Sequence, residues 1–556
     1  MDFDKFIEHK NKILNYPYDD VNLKKIHNQY IHALYERIEK PLFLKLNEIN
    51  KVDRNIKYWR LILKSYLINI LSELYEKWVC IQNTKKLNKK FVTNSLYLNF
   101  EDFIFNDHYE YDEIKDRYQV NIWDHFCYSL ILKEFTHIKI KSQISKKINN
   151  KELKNTQSKY KKYIDLISQI IFLFKKNFKI LFLDIYNIRH DIVLSTKLKK
   201  PYIHLKLPNI IKASYNKSLR DWNIEFKKKN KFENFISKNL PKLLPLIFIE
   251  GFNKNLKKIQ NLNKIKSKYY FYIPSINSLK NIFLAEKYRT GSKLITTQHG
   301  GNYGQLEIYP NENLEIDNSD YFLTFGWNSK FRLNNSDHKN KIIPTSALNL
   351  GKDSFSRKKS SNIIIIVNGF RYGFQHYQSI PSISQNYKQL NEIYNLINNL
   401  KPELKKKVIL KFRFKDEILF KKFSFPFRKN FKEIKIINTE KSVFELFQNA
   451  KLVVTTYSGT AYLEAIRCDI PSVVFWNKKF TVFRKTNDKY FNHLKKKNFL
   501  HYDYSSLSKF INSESKFIDI WWTKMQKDKL FNKFKLNFIS DDYERYYKQF
   551  MKIIKN

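Results

Sequence analysis

In the stretch NIKYWRLILKSYLINILSELYEKW (55–78), apolar side chains recur at three- and four-residue steps: Trp59, Ile62, Leu63, Tyr66, Leu67, Ile70, Leu71 and Leu74. That period predicts a long helix with a buried face. Similar spacing makes the first ~250 residues read as largely helical, with a strand-like piece, FKILFLDI (178–185), set among the helices. From about Leu246 the pattern changes. SINSLKNIFLAEKYRTG predicts a helix capped by Ser275 behind Pro274 and stopped by Gly291. SKLITTQ then predicts a strand, HGGNYG a loop and YFLTFGW (321–327) another strand. Strand, loop and helix in alternation predict a parallel α/β sheet.

After the polar stretch NSKFRLNNSDHKNK the alternation restarts. NIIIIVNG (362–369) does not alternate, so it predicts a strand buried on both faces. A helix around 387–400, the strands VILKFRF and IKIIN, a helix from near Ser442, the strand KLVVTTYS, a helix from Gly459 and the strand PSVVFW complete a second doubly wound domain. The last ~35 residues, from WWTKMQKDKL, predict helices. The expected division is 1–335 for a helix-rich region with a first Rossmann-like domain, 336–515 for a second, and 516–556 for a helical tail.

Composition alters this picture in two ways. The formal charge of +49 raises the prospect of nucleic acid or an anionic membrane. The Lys excess is spread from end to end, however, which favours compositional drift, with attraction to acidic membranes as a by-product. Glycine is scarce: all ten lie at or after Gly251, and nine fall between Gly291 and Gly459. Close backbone approach is therefore concentrated there. Cys80, Cys127 and Cys468 are isolated, which suits a reducing compartment. The acidic opening MDFDKFIEHK is unlike a signal peptide, and no apolar run reaches membrane-span length. The expected location is cytoplasmic, with peripheral contact at the inner face of an anionic membrane.

Two strand ends carry candidate chemistry. In TTQHGGNYG, a strand delivers Gln298 and His299 into a loop with Gly300 and Gly301. The carboxyl edge of a parallel sheet is where ligands bind, and imidazole suits a general base near neutral pH. The alternative is a turn histidine closing a strand. In KLVVTTYSGTAYLEA, hydroxyls at Thr455, Thr456 and Ser458 end a strand, and Gly459 and Thr460 open a helix whose free amides suit a phosphate. Glu464, farther along that helix, has the chemistry to accept hydrogen bonds from ribose hydroxyls, or is a solvated helix residue. Arg371, Tyr372 and His376 follow one strand, and Arg413 and Lys415 end another; guanidinium groups there suit pyrophosphate or a sugar carboxylate, or are ordinary solvated charges.

Several chemistries lack their signatures. HGG echoes an esterase oxyanion loop, but there is no G-x-S-x-G; TYSGT lacks the first glycine. G-x-x-x-x-G-K-[ST], G-x-G-x-x-G and H-E-x-x-H are all absent, and the one D-x-D is Asp2–Asp4. No required metal and no cofactor are expected, and no RNA-binding or zinc-finger signature points to a specific nucleic acid.

TTQHGG, RYGFQHYQSIP, TTYSGTAYLEA and IPSVVFWN, with the early KYWRLILKSYLINILSELYEKW and the late WW, resemble a family of transferases of bacterial O-antigen and surface-carbohydrate biosynthesis. The resemblance implies the GT-B architecture, two Rossmann domains facing a cleft. More distantly the chain is similar to CDP-glycerol glycerophosphotransferases and capsule polysaccharide transferases. By that resemblance His299 matches the catalytic histidine, and Thr456, Tyr457, Ser458, Gly459 and Thr460 match the donor-phosphate loop. Arg413 falls near a basic donor-binding position, although KFRFKD departs from the Lys/Arg-His-Pro pattern usual there.

The expected activity is transfer of a sugar or polyol-phosphate group from a nucleotide-activated donor to the hydroxyl of a carbohydrate or lipid-linked glycan, with His299 as base. The alternatives are a basic nucleic-acid- or membrane-binding protein on a degenerate Rossmann pair, and a nucleotide-sugar epimerase of the same build.

Overall fold

The helix expected across residues 55–78 runs Ile56–Thr84, and the Asn55 side chain caps it by accepting the Tyr58 amide. All eight apolar positions of its predicted stripe are buried. The computed structural model describes residues 14–87, 90–97, 100–117, 120–145, 167–172, 174–184, 196, 203–274, 276–331, 341–348, 350, 355–367, 377–413, 417–439 and 443–555. The helix Val21–Asn50 lies against Ile56–Thr84, and Ser278–Arg289 of the first α/β domain packs on it too. The helical region and the first sheet therefore share one apolar core. Two parallel strands that the periodicity does not announce, β1 (Phe91–Tyr97) and β2 (Ile138–Ser145), form a small separate sheet.

The first large sheet has five parallel strands in chain order: β3 (Asn177–Phe182), β4 (Lys266–Tyr272), β5 (Lys293–Thr297), β6 (Tyr321–Thr324) and β7 (Ile342–Pro344). The helix between β4 and β5 is capped by Asn277, whose side chain accepts the Lys280 amide; Ser275, the expected cap, lies outside the described residues. Gly291 ends it at φ +93°, a conformation most side chains avoid. β7 pairs with β6, so the first domain extends past the expected boundary at 335.

The second sheet has six parallel strands: β8 (Ile363–Ile366), β9 (Val408–Phe412), β10 (Lys435–Asn438), β11 (Leu452–Thr455), β12 (Ser472–Phe475) and β13 (Leu500–His501). Their order is β10-β9-β8-β11-β12-β13. It is the doubly wound dinucleotide-fold order, which reverses direction between β8 and β11 and leaves a crevice there. β8 is buried at all four positions, as its unbroken isoleucine run predicts.

The tail is not a unit of its own. Trp522, Phe531, Phe534 and Phe538 join Tyr303, Phe322 and Trp327 of the first domain and Tyr462, Trp476 and Phe491 of the second in one core. The final helix, Tyr543–Lys555, crosses back beneath the first sheet, where Tyr546, Tyr547, Phe550, Ile553 and Ile554 meet Ile180, Phe182, Phe271, Ile295 and Leu323. Its apolar positions follow the helical period; which sheet they cover is decided by tertiary packing. Among the described residues no helix is long and apolar enough to cross a membrane.

Candidate active site

Gln298 leaves β5 fully buried and acts as a bracket for the loop behind it. Its Oε1 accepts from the Phe325 amide (3.1 Å) and from Trp327 Nε1 (2.8 Å), while Nε2 donates to the Gly300 carbonyl (2.7 Å). Buried amides held at both ends fix the loop's path. His299 comes next, its side chain 36% exposed. Nδ1 lies 3.4 Å from the Tyr303 hydroxyl and 3.7 Å from Glu315 Oε2. Even at that exposure the surrounding protein strips enough water to push the imidazole down to about 4, so the ring is neutral at physiological pH.

The loop is pressed against the second domain. The Gly301 amide donates to Thr460 Oγ1 at 3.1 Å. A Cβ at Gly301 would lie 2.3 Å from the Gly459 carbonyl oxygen, so only glycine allows this approach. The glycine amides of this loop are not all open to a ligand: Gly301 gives its N–H to Thr460, and Gly304 gives its own to Glu312 at 2.7 Å. Further along, Asn487 Nδ2 donates to the Gly304 carbonyl (2.9 Å), Tyr462 donates to Gln305, and buried Arg484 donates to the Leu306 and Phe331 carbonyls (2.8 and 2.6 Å).

On the facing side, β11 ends at the crevice where the strand order reverses. Thr456 ties this end to β8: its amide and its hydroxyl both donate to the Ile366 carbonyl, at 3.2 and 2.9 Å. Tyr457 is half-buried, and its ring packs so close to Gly459 that a Cβ there would lie 2.5 Å from it. Among the described residues the buried Ser458 hydroxyl has no hydrogen-bond partner, and the same holds for Thr455. A buried hydroxyl without a partner is costly. The helix Thr460–Arg467 starts at Gly459 without a side-chain cap. Unpaired hydroxyl, uncapped amides and dipole thus share one spot, a polar environment suited to an anion.

Glu464 is not the ordinary solvated helix residue that was its alternative. It is half-buried, and loss of hydration raises its carboxyl to about 7 against the opposing pull of Arg413 and Lys411. Lys411 is itself buried on β9 and lowered chiefly for the same reason. Arg413 is exposed at the end of β9, beside Glu464. Arg371, Tyr372, His376 and Lys415 lie outside the described residues. Among the described residues no group of three or more His, Cys, Asp or Glu is placed to hold a metal.

Sequence reasoning missed the inner wall of the site. The Tyr303 hydroxyl lies 2.8 and 2.7 Å from the two oxygens of Glu315 and shares its one proton between them, and Glu312 pairs with Arg484 at 3.0 Å. Both acids sit on the helix Pro310–Asp317, which the hydrophobic pattern does not announce. The available signal was two acids spaced three apart among Ile308, Leu314 and Ile316, on a segment too short for its period to stand out.

The family model described as "LIC12162 family transferase" matches residues 1–551. No protein with a curated description matches the chain. Among solved structures, HepE of Anabaena in complex with UDP and glucose is 10% identical over 68% of this chain and 99% of its own, with a TM-score of 0.38. The UDP-GlcNAc 2-epimerase of Neisseria meningitidis bound to UDP-GlcNAc is 10% identical over 69% and 100%, with a TM-score of 0.37. TarM is 12% identical over 55% of this chain, and the match spans 59% of TarM's length, with a TM-score of 0.36. Overlap this low assigns no activity.

Proposed function

The chain belongs to the LIC12162 family of transferases, and from that premise we propose that it moves a sugar or polyol-phosphate group from a nucleotide-activated donor to a hydroxyl of a surface carbohydrate. The observation that carries this reading is the meeting of two strand ends: the loop bearing His299 touches the uncapped start of Thr460–Arg467 through the Gly301–Thr460 hydrogen bond. In this reading the neutral imidazole of His299 works beside a place suited to phosphate.

In this reading the donor lies in the crevice between β8 and β11. Its phosphates rest on the amides of Gly459 and Thr460 and on the Ser458 hydroxyl, and its ribose hydroxyls reach Glu464. The acceptor enters from the first domain. Nε2 of His299 takes the acceptor's proton as its oxygen attacks. Helix amides and Arg413 meet the charge on the departing nucleotide phosphate, an arrangement most useful in a site that excludes water. The reading calls for no metal or cofactor, and it places the protein in the cytoplasm, in peripheral contact with the membrane that carries its acceptor.

The test combines donor binding with turnover. Thermal shift against CMP-, CDP-, UDP- and GDP-linked donors identifies the nucleotide, since a ligand of the native state raises apparent stability. With that donor, His299→Ala is expected to lose roughly 10²–10⁴-fold in turnover while donor binding persists. Full turnover by H299A would remove the base assignment. Donor isomerisation without any acceptor would point instead to the epimerase reading.

A further inference from the structure

Glu312 and Glu315 are both buried on the helix Pro310–Asp317, yet their surroundings differ. Glu312 has a cation, Arg484, at 3.0 Å, and the Gly304 amide at 2.7 Å. Glu315 has no lysine or arginine within ion-pair distance among the described residues. It holds the Tyr303 hydroxyl, and the one basic group beside it is Nδ1 of His299. Burying a carboxyl without a cation is unfavourable, and packing alone does not call for it.

We propose that Glu315 is the positioning residue of His299, acting on the ring directly and through Tyr303. It holds Nδ1–H inward, leaves Nε2 to face the acceptor, and balances the imidazolium formed during transfer. The proposal rests on the reading of His299 as base. In the step itself, the acceptor O–H bond breaks as its oxygen bonds to the transferred group. The proton passes to Nε2, and the electron pair of the broken donor bond leaves with the nucleotide phosphate. An ionised Glu315 at 3.7 Å favours the protonated ring, whereas a neutral carboxyl does not.

The groups facing Glu315 are Tyr303 and His299 from the loop after β5, Tyr272 from β4, and Glu312 with Arg484 behind it. Burial holds the Glu315 carboxyl well above the usual carboxylate range; the Tyr303 hydrogen bond opposes this and Glu312 adds to it. Turnover should therefore climb with pH as the carboxyl ionises, along a limb that belongs to the Glu315–His299 pair.

The experiment measures kcat and donor KM from about pH 6 to 9 for the wild type, E315Q, Y303F and H299A. Glu315→Gln is expected to lower kcat by about 10–100-fold, to leave donor KM within about twofold and to abolish the rising limb. Tyr303→Phe keeps the ring and removes the bridge; it should lower kcat less and displace the limb, and it stands in if E315Q fails to fold. Histidine ¹⁵N NMR gives a readout that needs no turnover: His299 should carry its proton on Nδ1 in the wild type and lose that preference in E315Q. An E315Q enzyme with wild-type kcat, limb and tautomer, alongside an inactive H299A, overturns the role of Glu315 alone. A fully active H299A overturns the base assignment itself, and NMR then still reports whether Glu315 holds the ring.

Discussion

Through its side chain Gln298 ties the Gly300 carbonyl of its own loop to the Phe325 amide and the Trp327 indole N–H of the segment after β6. Gln298→Ala would leave the Phe325 amide and the Trp327 indole N–H buried without acceptors. At about 1–3 kcal/mol for each unsatisfied group, the variant should lose at least ~2 kcal/mol in chemical denaturation and several-fold or more in turnover. Unchanged stability would mean that water or backbone movement replaces the bracket. His299 itself was legible in the sequence because a histidine followed by two glycines stands out in so glycine-poor a chain. Tyr303 and Glu315 were not, since a tyrosine and a glutamate gain their chemical meaning from the distances between them.

At the scale of the element, the helix Thr460–Arg467 presents its uncapped start to the proposed phosphates and Glu464 to the proposed ribose. Burial raises the Glu464 carboxyl to about 7, although Arg413 and Lys411 oppose the shift. A carboxylate accepts two ribose hydroxyls better than a neutral acid does, so donor binding needs the ionised form. As pH falls below about 7 the group takes up a proton in the free protein, and affinity should fall by up to about tenfold per pH unit. Calorimetric titration with the identified donor should show that slope in the wild type and none in Glu464→Gln. A wild-type affinity flat across this range would detach Glu464 from the donor. The sequence located this helix through its strand, its glycine and its small hydroxylated residues. It left the state of Glu464 open, because only packing shows how much water the carboxyl keeps.

For the whole molecule, the final helix is the telling element. Tyr543–Lys555 covers Ile180, Phe182, Phe271, Ile295 and Leu323 on one face of the first sheet. Removing residues 543–556 should expose that face, lower the unfolding temperature and promote aggregation, as measured by scanning calorimetry and light scattering. A truncated chain with an unchanged transition would mean that the sheet needs no cover there. The domains are also joined by the aromatic core around Trp327, Trp476 and Trp522, so the full-length chain should not show its two sheets as widely separated transitions.

Local pattern was enough to determine the α/β alternation, the long buried helix from residue 56, the isoleucine strand β8, and the two strand ends at 299 and 456–460. Helix and strand periods, capping residues and glycine turns act within a few positions of one another, so a single sequence displays them. Tertiary structure alone decided that those strand ends touch, across 159 residues in the Gly301–Thr460 bond. It also decided that Glu315 lies behind His299, that Glu312 takes Arg484, and that the last helix returns to the first sheet. Each of these depends on which distant surfaces exclude water from each other, and burial of that kind is a property of the assembled chain.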